Sequence, residues 1–313
     1  MVKNHTKKVA LIIPCFNEAA SIGDVITGFK LALPSIFIHV FDNNSSDETA
    51  SIASNLGATV THVPSKGKGN VVRRMFSEVN ADIYVMVDGD GTYDPKSLAL
   101  MIDLLEKNKL DMVVGVRKVS EIALTKAYRS GHQFGNRLLT KSVYFIFGEG
   151  FTDMLSGYRV FSNRFVKTFP ALSQGFEVET ELTIHALQLR LPCGEVQTPY
   201  GMRREGSESK LSTYKDGLLI LIMIIRLFII ERPLLFFFIC GFLQLLSGIL
   251  LGLPVIYEFF ETGLVPRLPS ALLSASLVIL AMLSFFCGLI LSNVVTGRIE
   301  AKRMAYLSIG MKA

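Results

Sequence analysis

The chain has 313 residues, half of them hydrophobic and 19% charged, with a formal net charge of +5 at neutral pH. Its apolar excess is uneven: hardly a charge occurs from Pro233 to Thr296 outside a short central loop, whereas residues 1–216 read as an ordinary soluble domain. The mild positive balance suits anionic lipid or phosphorylated ligands and argues against a nucleic-acid partner, and four scattered cysteines without a C-x-x-C pair argue against a disulfide frame or zinc site.

The opening MVKNHTKKVALIIPCF sets basic residues before an apolar run, but the run stops at Pro14 and Asn17-Glu18 follow, so a first buried strand is expected rather than a leader. Further β-rich runs are IFIHVFD (36–42), ATVTHV (58–63), DIYVMVD (82–88) and DMVVGV (111–116). Between them SIGDVITGFKLAL, ETASIASNLG, GNVVRRMFSEV and SLALMIDLLEKN carry the helical period. Strand and helix alternating in this way predict an α/β fold, a mostly parallel sheet with helices on both faces. Such sheets bind ligands beyond the carboxyl ends of their strands. The rule selects four polar loops, PCFNE, DNNSSDE, PSKGKGN and DGDGTYDP, as converging on one site.

Residues 117–216 are less regular, with a helical pattern near 121–147, a turn-rich FTDMLSGYRVFS, a helix near 177–190 and a strand GEVQTPY. GLLILIMIIRLFIIERP follows, apolar but interrupted by Arg226, Glu231 and Arg232, as in a helix lying in a membrane interface. Pro233 to Tyr257 and Ser270 to Thr296 are uncharged stretches long enough to cross a bilayer. Arg298, Lys302, Arg303 and Lys312 follow the second stretch, against a single basic residue in the loop between them, so both ends are expected on the cytoplasmic side. The expected organisation is a catalytic domain at 1–215, an interfacial helix at 216–232, a two-helix transmembrane hairpin at 233–297 and a basic tail at 298–313.

The chemistry concentrates in the four loops. Asp88 and Asp90 end the fourth strand, where alternation sets residues i and i+2 on one side, and two such carboxylates suit Mg²⁺ or Mn²⁺. A cation held there bridges a diphosphate and stabilises its charge as it leaves. Asp42, Asn17 and Glu18 are acceptors for a base or ribose, while Lys66 and Lys68 lie between glycines before a helix N-terminus, a setting that favours phosphate. Ser45, Ser46, Asp47 and the Asp94-Pro95 pair read as helix caps.

The order PCFNEA, DNNSSDET, GKGN, DGDGTYDP, TDMLSGYRVFS and YGMRREGSESKLSTYKDG, over residues 8–216, resembles the family-2 glycosyltransferases. Within that family it is most similar to the polyprenyl-phosphate sugar transferases of the dolichyl-phosphate mannosyltransferase and bactoprenol-phosphate glucosyltransferase type. The resemblance implies an A-type glycosyltransferase fold, a nucleotide-diphosphate sugar donor, a divalent metal, inversion at the anomeric carbon and an undecaprenyl- or dolichyl-type phosphate acceptor. It implies that Pro14, Asn17, Glu18 and Asp42 hold the nucleoside with Lys68 beside them, and that Asp88 and Asp90 bind the metal. Arg117 matches an arginine near the donor and acceptor phosphates, Arg203, Ser209 and Lys210 match the stretch closing over them, and Asp153 matches the acid nearest the reaction. Thr92 stands where close relatives often carry a glutamine, leaving the third metal ligand open.

An acceptor phosphate is already anionic at neutral pH, so cations rather than a strong base must position it. Arg129, Arg137, Arg159, Arg203, Arg204 and Lys210 are candidates, while Asp153, Glu177 or Glu179 would serve as base for a hydroxyl acceptor. A processive polysaccharide synthase of the same fold is disfavoured, because those relatives use a Q-x-x-R-W motif and this chain has no tryptophan. A non-catalytic membrane subunit binding nucleotide sugar or lipid phosphate is the alternative from another class, and it is expected to lose the metal acids that this chain retains. The expected setting is a bacterial inner membrane with the catalytic domain cytoplasmic. Oligomeric state, homo-oligomer included, stays open.

Overall fold

A computed structural model describes residues 7–119, 130–175, 177–201, 222 and 224–310, the side chains of 119 and 130–137 excepted. It separates into two compact units, Met1–Gly217 with Lys302–Ala313, and Leu218–Ala301.

The first unit is built on a seven-stranded sheet ordered β3-β2-β1-β4-β6-β5-β7. Its strands are β1 (Val9–Cys15), β2 (Phe37–Asp42), β3 (Thr59–His62), β4 (Ile83–Met86), β5 (Met112–Val119), β6 (Arg159–Ser162) and β7 (Cys193–Tyr200). β1 pairs in parallel with β2 and β4, β2 with β3, and β5 with β7, while β6 runs antiparallel between β4 and β5. The sheet is therefore mixed. The sequence reading took FTDMLSGYRVFS as turn-rich and missed β6, whose four residues begin with an arginine.

Ala10 to Ile13 of β1 are wholly buried, as expected of a central strand covered on both faces. α1 (Ile22–Ala32) turns Ile22, Val25, Ile26 and Phe29 inward at helical spacing and stops before Leu33-Pro34, where proline disfavours a preceding helical residue. Burial of each such side chain is worth about 1.5–3 kcal/mol. α2 (Thr49–Asn55), α3 (Lys68–Glu78) and α4 (Leu98–Lys107) complete the first crossovers. α5 (Ser130–Phe147), α6 (Asn163–Thr168) and α7 (Val178–Leu189) follow.

β4 ends at Met86, two residues earlier than the strand read from the sequence. Asp88 and Asp90 thus lie in the turn beyond the sheet, and strand alternation does not set their directions.

In the second unit residues 224–231 are helical, followed by α8 (Pro233–Thr262) and α9 (Leu268–Ser308). Both long helices are apolar enough to cross a membrane by length and composition. They pack through small residues: a Cβ on Gly241 would stand 2.7 Å from the Phe285 ring, and one on Gly252 2.5 Å from Ser274 Oγ. Ser274 Oγ donates to the Gly248 carbonyl at 2.8 Å, and Ser284 Oγ lies 2.9 Å from Gln244 Oε1. α9 continues to Ser308, through most of the stretch expected as a basic tail at 298–313. Its last turns belong to the first unit, where Lys302 Nζ donates to Gln188 at 2.7 Å and Tyr306 Oη to Asp111 at 2.7 Å. Of the interfacial helix expected at 216–232, residues 222 and 224–231 are helical, and 216–221 and 223 lie outside the described residues.

Candidate active site

The four loops selected from the sequence meet through hydrogen bonds between them. Asn17, in the left-handed region at φ 56°, accepts the Ser46 N–H on its side-chain oxygen at 2.8 Å, and its own N–H donates to Ser45 Oγ at 2.9 Å. The Glu18 N–H donates to Thr49 Oγ1 at 2.8 Å, tying the first loop to the start of α2. Asn43 ties the second loop to the third: its amide donates to the Val63 and Ser65 carbonyls at 2.9 and 2.8 Å and accepts the Gly67 N–H at 2.8 Å. Ser21 Oγ reaches the Gly89 carbonyl at 2.7 Å, tying the first loop to the fourth. Polar side chains thus answer the backbone groups that strand ends leave unpaired.

Pro14 sits in β1 beside Phe41, and Asp42 ends β2 almost fully buried. The Asp42 carboxylate accepts the Ser45 N–H at 3.3 Å and faces His62 Nδ1 at 3.4 Å.

Lys68 opens α3 after Gly67, whose φ of 117° excludes other residues on backbone grounds. Its ammonium contacts Asp88 Oδ1 and lies 2.5 Å from Glu179 Oε1. Burial alone would lower the Lys68 pKa, but the charges and hydrogen bonds of these two acids hold it above its usual value. Asp88 rests on Gly157, where an added Cβ would stand 2.4 Å from Asp88 Oδ2. Asp90 is buried, and its Oδ1 accepts from the Thr92 N–H at 3.1 Å and hydroxyl at 2.6 Å. Thr92, marked in the sequence as a departure, therefore fixes the Asp90 carboxylate.

Arg117 and Asp153 form a two-pronged pair, Nε to Oδ2 at 2.6 Å and Nη2 to Oδ1 at 2.8 Å. Burial would raise the Asp153 carboxyl, yet Arg117 overcomes this and holds it below the usual carboxylate range. The Arg117 guanidinium lies 5.5 Å from the centre of the Tyr200 ring. Tyr93 bridges the neighbouring turns: its hydroxyl accepts the Gly157 N–H at 2.8 Å, and its ring packs 5.5 Å from Tyr158. Gly201, just past the end of β7, donates its N–H to the Thr92 carbonyl at 2.8 Å.

Arg159, a sequence candidate for phosphate, is completely buried and instead donates to the Ser156 carbonyl at 3.0 Å, the Met154 carbonyl at 2.6 Å and Thr183 Oγ1 at 3.0 Å. It shapes the loop carrying Asp153 and does not face a ligand. Glu179, weighed from the sequence as a base, is paired with Lys68. Arg203, Ser209, Lys210, Arg204 and Arg129 lie outside the described residues, as does the side chain of Arg137. The roles of Asn43, Thr92 and Gly157 went unread, since only spatial neighbours reveal them.

Among the described residues no three His, Cys, Asp or Glu side chains form a metal cluster. The donors that are present still fit Mg²⁺ or Mn²⁺, because one or two hard carboxylates completed by substrate phosphates and water suffice for such an ion. An ammonium already lies on Asp88, so the position is one that attracts cations.

Residues 10–169 match the family described as glycosyl transferase family 2. The chain is 32% identical to the glycosyltransferase AglJ of Haloferax volcanii, over 80% of this chain and 82% of that one. It is 26% identical to the dolichol-phosphate mannosyltransferase of Pyrococcus furiosus, over 65% and 59% of the two chains. In fold it is similar to glucosyl-3-phosphoglycerate synthase from Mycobacterium tuberculosis, solved with Mn²⁺, uridine-diphosphate-glucose and phosphoglyceric acid. That likeness has a TM-score of 0.56 at 21% identity, covering 70% of this chain and 80% of the other.

Proposed function

The chain belongs to glycosyl transferase family 2, and on that premise we propose that it moves a sugar from a nucleotide-diphosphate donor to a polyprenyl phosphate at the cytoplasmic face of a membrane. One observation carries the choice of acceptor: Asp88 and Glu179 share Lys68, and Asp153 is held by Arg117. Asp153, held below the usual carboxylate range by Arg117, is a poor proton acceptor, and a phosphate monoester needs none. The name of the Pyrococcus relative supports the same acceptor class.

In this reading Pro14, Asn17, Glu18 and Asp42 hold the nucleoside, and Lys68 neutralises charge beside the diphosphate. Asp88 and Asp90 hold Mg²⁺ or Mn²⁺, which when bound offsets the charge growing on the departing diphosphate. Asp153 aims Arg117 at the acceptor phosphate, and Tyr200 backs the guanidinium plane. Arg137, Arg203, Ser209 and Lys210 supply further phosphate contacts. An acceptor phosphate oxygen forms a bond to the anomeric carbon from the face opposite the diphosphate. The bond to the diphosphate oxygen breaks, the nucleoside diphosphate leaves with its electron pair, and configuration inverts. No proton has to be removed for the bond to form.

α8 and α9 serve as the membrane hairpin in this proposal, preceded by an interfacial segment at 216–232. The excess of basic residues after residue 297 supports a cytoplasmic site and, for a bacterial cell, the inner membrane. The test is to incubate the purified chain with polyprenyl phosphate, Mg²⁺ or Mn²⁺ and a panel of labelled nucleotide sugars. Labelled lipid from at least one donor, lost on chelation of the metal, is the expected result. No labelled lipid from any donor contradicts the proposal.

A further inference from the structure

One buried ammonium serves two acids in this site, and both acids cannot keep it on the same terms once a divalent cation arrives. Lys68 is 11% exposed, Asp88 28% and Glu179 6%, so Glu179 is the deeper partner and Asp88 the one open to a ligand. The second oxygen of Glu179 is buried with no hydrogen-bond partner among the described residues. Glu179 is therefore held in place for the sake of its ammonium contact rather than by a network of its own.

The backbone of Lys68 has little room to follow Asp88. A Cβ on Gly67 would stand 2.2 Å from the Gln174 carbonyl oxygen, and one on Gly69 2.2 Å from that of Ser173, so the loop is pressed against this segment. The segment in turn hangs on α7, because Glu181 accepts the Leu172 and Ser173 N–H groups at 2.8 Å each. α7 thus braces the Lys68 loop from one side through Glu181 and grips its ammonium through Glu179.

We propose that Glu179 is a positioning residue that sets the affinity of the metal site, by retaining the Lys68 ammonium when Asp88 turns to the divalent cation. The inference rests on the reading of Asp88 as a metal ligand. Without the Glu179 charge, Lys68 has Asp88 as its one acidic partner among the described residues and competes fully with the cation for it. Removing Lys68 removes the competitor. Glu179→Gln is thus expected to weaken cation binding, Lys68→Met to strengthen it, and the double variant to return it to the wild-type level or better.

Mn²⁺ titrations followed by electron paramagnetic resonance test this on the full chain in detergent. They are run with Mn²⁺ alone and with uridine or guanosine diphosphate, and circular dichroism verifies the fold of each variant. Glu179→Gln should raise the Mn²⁺ dissociation constant roughly tenfold, as expected for loss of one charge near a partly buried cation. Lys68→Met and Lys68→Met/Glu179→Gln are read with Mn²⁺ alone, where no diphosphate uses the ammonium, and both should bind it at least as tightly as wild type. An unchanged constant in Glu179→Gln overturns the inference, as does a double variant as weak as Glu179→Gln. If Glu179→Gln does not fold, weaker binding in Lys68→Met overturns it. Wild-type protein that binds no Mn²⁺ under any of these conditions contradicts the proposed function as well, so the two failures are distinct.

Discussion

Glycine does opposite things in the two units of this chain. In the sheet unit Gly157 and Gly89 vacate space that a neighbouring side chain fills: an added Cβ would meet Asp88 Oδ2 at 2.4 Å and Cys15 Sγ at 2.7 Å. In the helical unit Gly241 and Gly248 yield to a neighbouring helix, with Phe285 at 2.7 Å and Leu277 at 3.2 Å. One set of glycines makes room for side chains of the candidate site, the other for the close approach of two helices. Residue type alone does not distinguish them, and their neighbours in space do.

The comparison is broken most forcefully at the two acids that Gly89 separates in the turn after β4. Asp90→Asn keeps an oxygen for the Thr92 hydrogen bonds, so the fold should persist while sugar transfer falls by about 10²–10³-fold, the usual scale for losing one electrostatic stabiliser. Transfer within twofold of wild type removes the acids from the account. Gly157→Ala comes next, since its backbone has ordinary geometry and the three atoms nearest to an added Cβ all belong to the Asp88 carboxylate. Overpacking of about 1–2 kcal/mol should displace Asp88 and weaken donor binding roughly tenfold by calorimetry. Donor affinity equal to wild type means that Asp88 has slack that the structure does not suggest.

Gly248→Leu tests the other half of the comparison. Separating the helices should lower the stability of the hairpin by about 2 kcal/mol in detergent unfolding, with nucleoside diphosphate binding unchanged. A loss of nucleotide affinity would couple the two sets of glycines and undo the contrast.

The smallest effect at neutral pH concerns His185, buried between the Phe165 and Phe169 rings. Burial, with a lesser contribution from the Lys302 charge, pushes its pKa down to about 3. Because the folded value lies below the unfolded one, the stability it contributes is complete above about pH 6.5. That stability declines as the pH falls from there, by about 1.4 kcal/mol per unit. His185→Phe should flatten the melting-temperature profile between pH 6.5 and 4, and an unchanged slope contradicts a neutral buried ring.

The parts of this fold legible in the sequence are those decided locally. VALII and IYVMV announce strands because every position is apolar or β-prone, and the four polar loops announce a site because parallel strands send their ends to one edge. β6 was hidden because it starts with Arg159, and only Ser156, Met154 and Thr183 explain why an arginine can be fully buried there. Asp153 and Arg117 were each singled out, but their pairing across 36 residues was not, and it makes the carboxylate an anchor. Likewise Glu179 looked like a base until Lys68, on another helix, accounted for it.

The central claim, transfer to a phosphate that needs no base, is tested most directly by offering one labelled donor to two acceptors of equal chain length. These are a polyprenyl phosphate and the free polyprenol. The account predicts labelled lipid from the phosphate alone, with a rate flat across neutral pH. Labelled product from the polyprenol, or a rate that rises with the titration of a base, contradicts it.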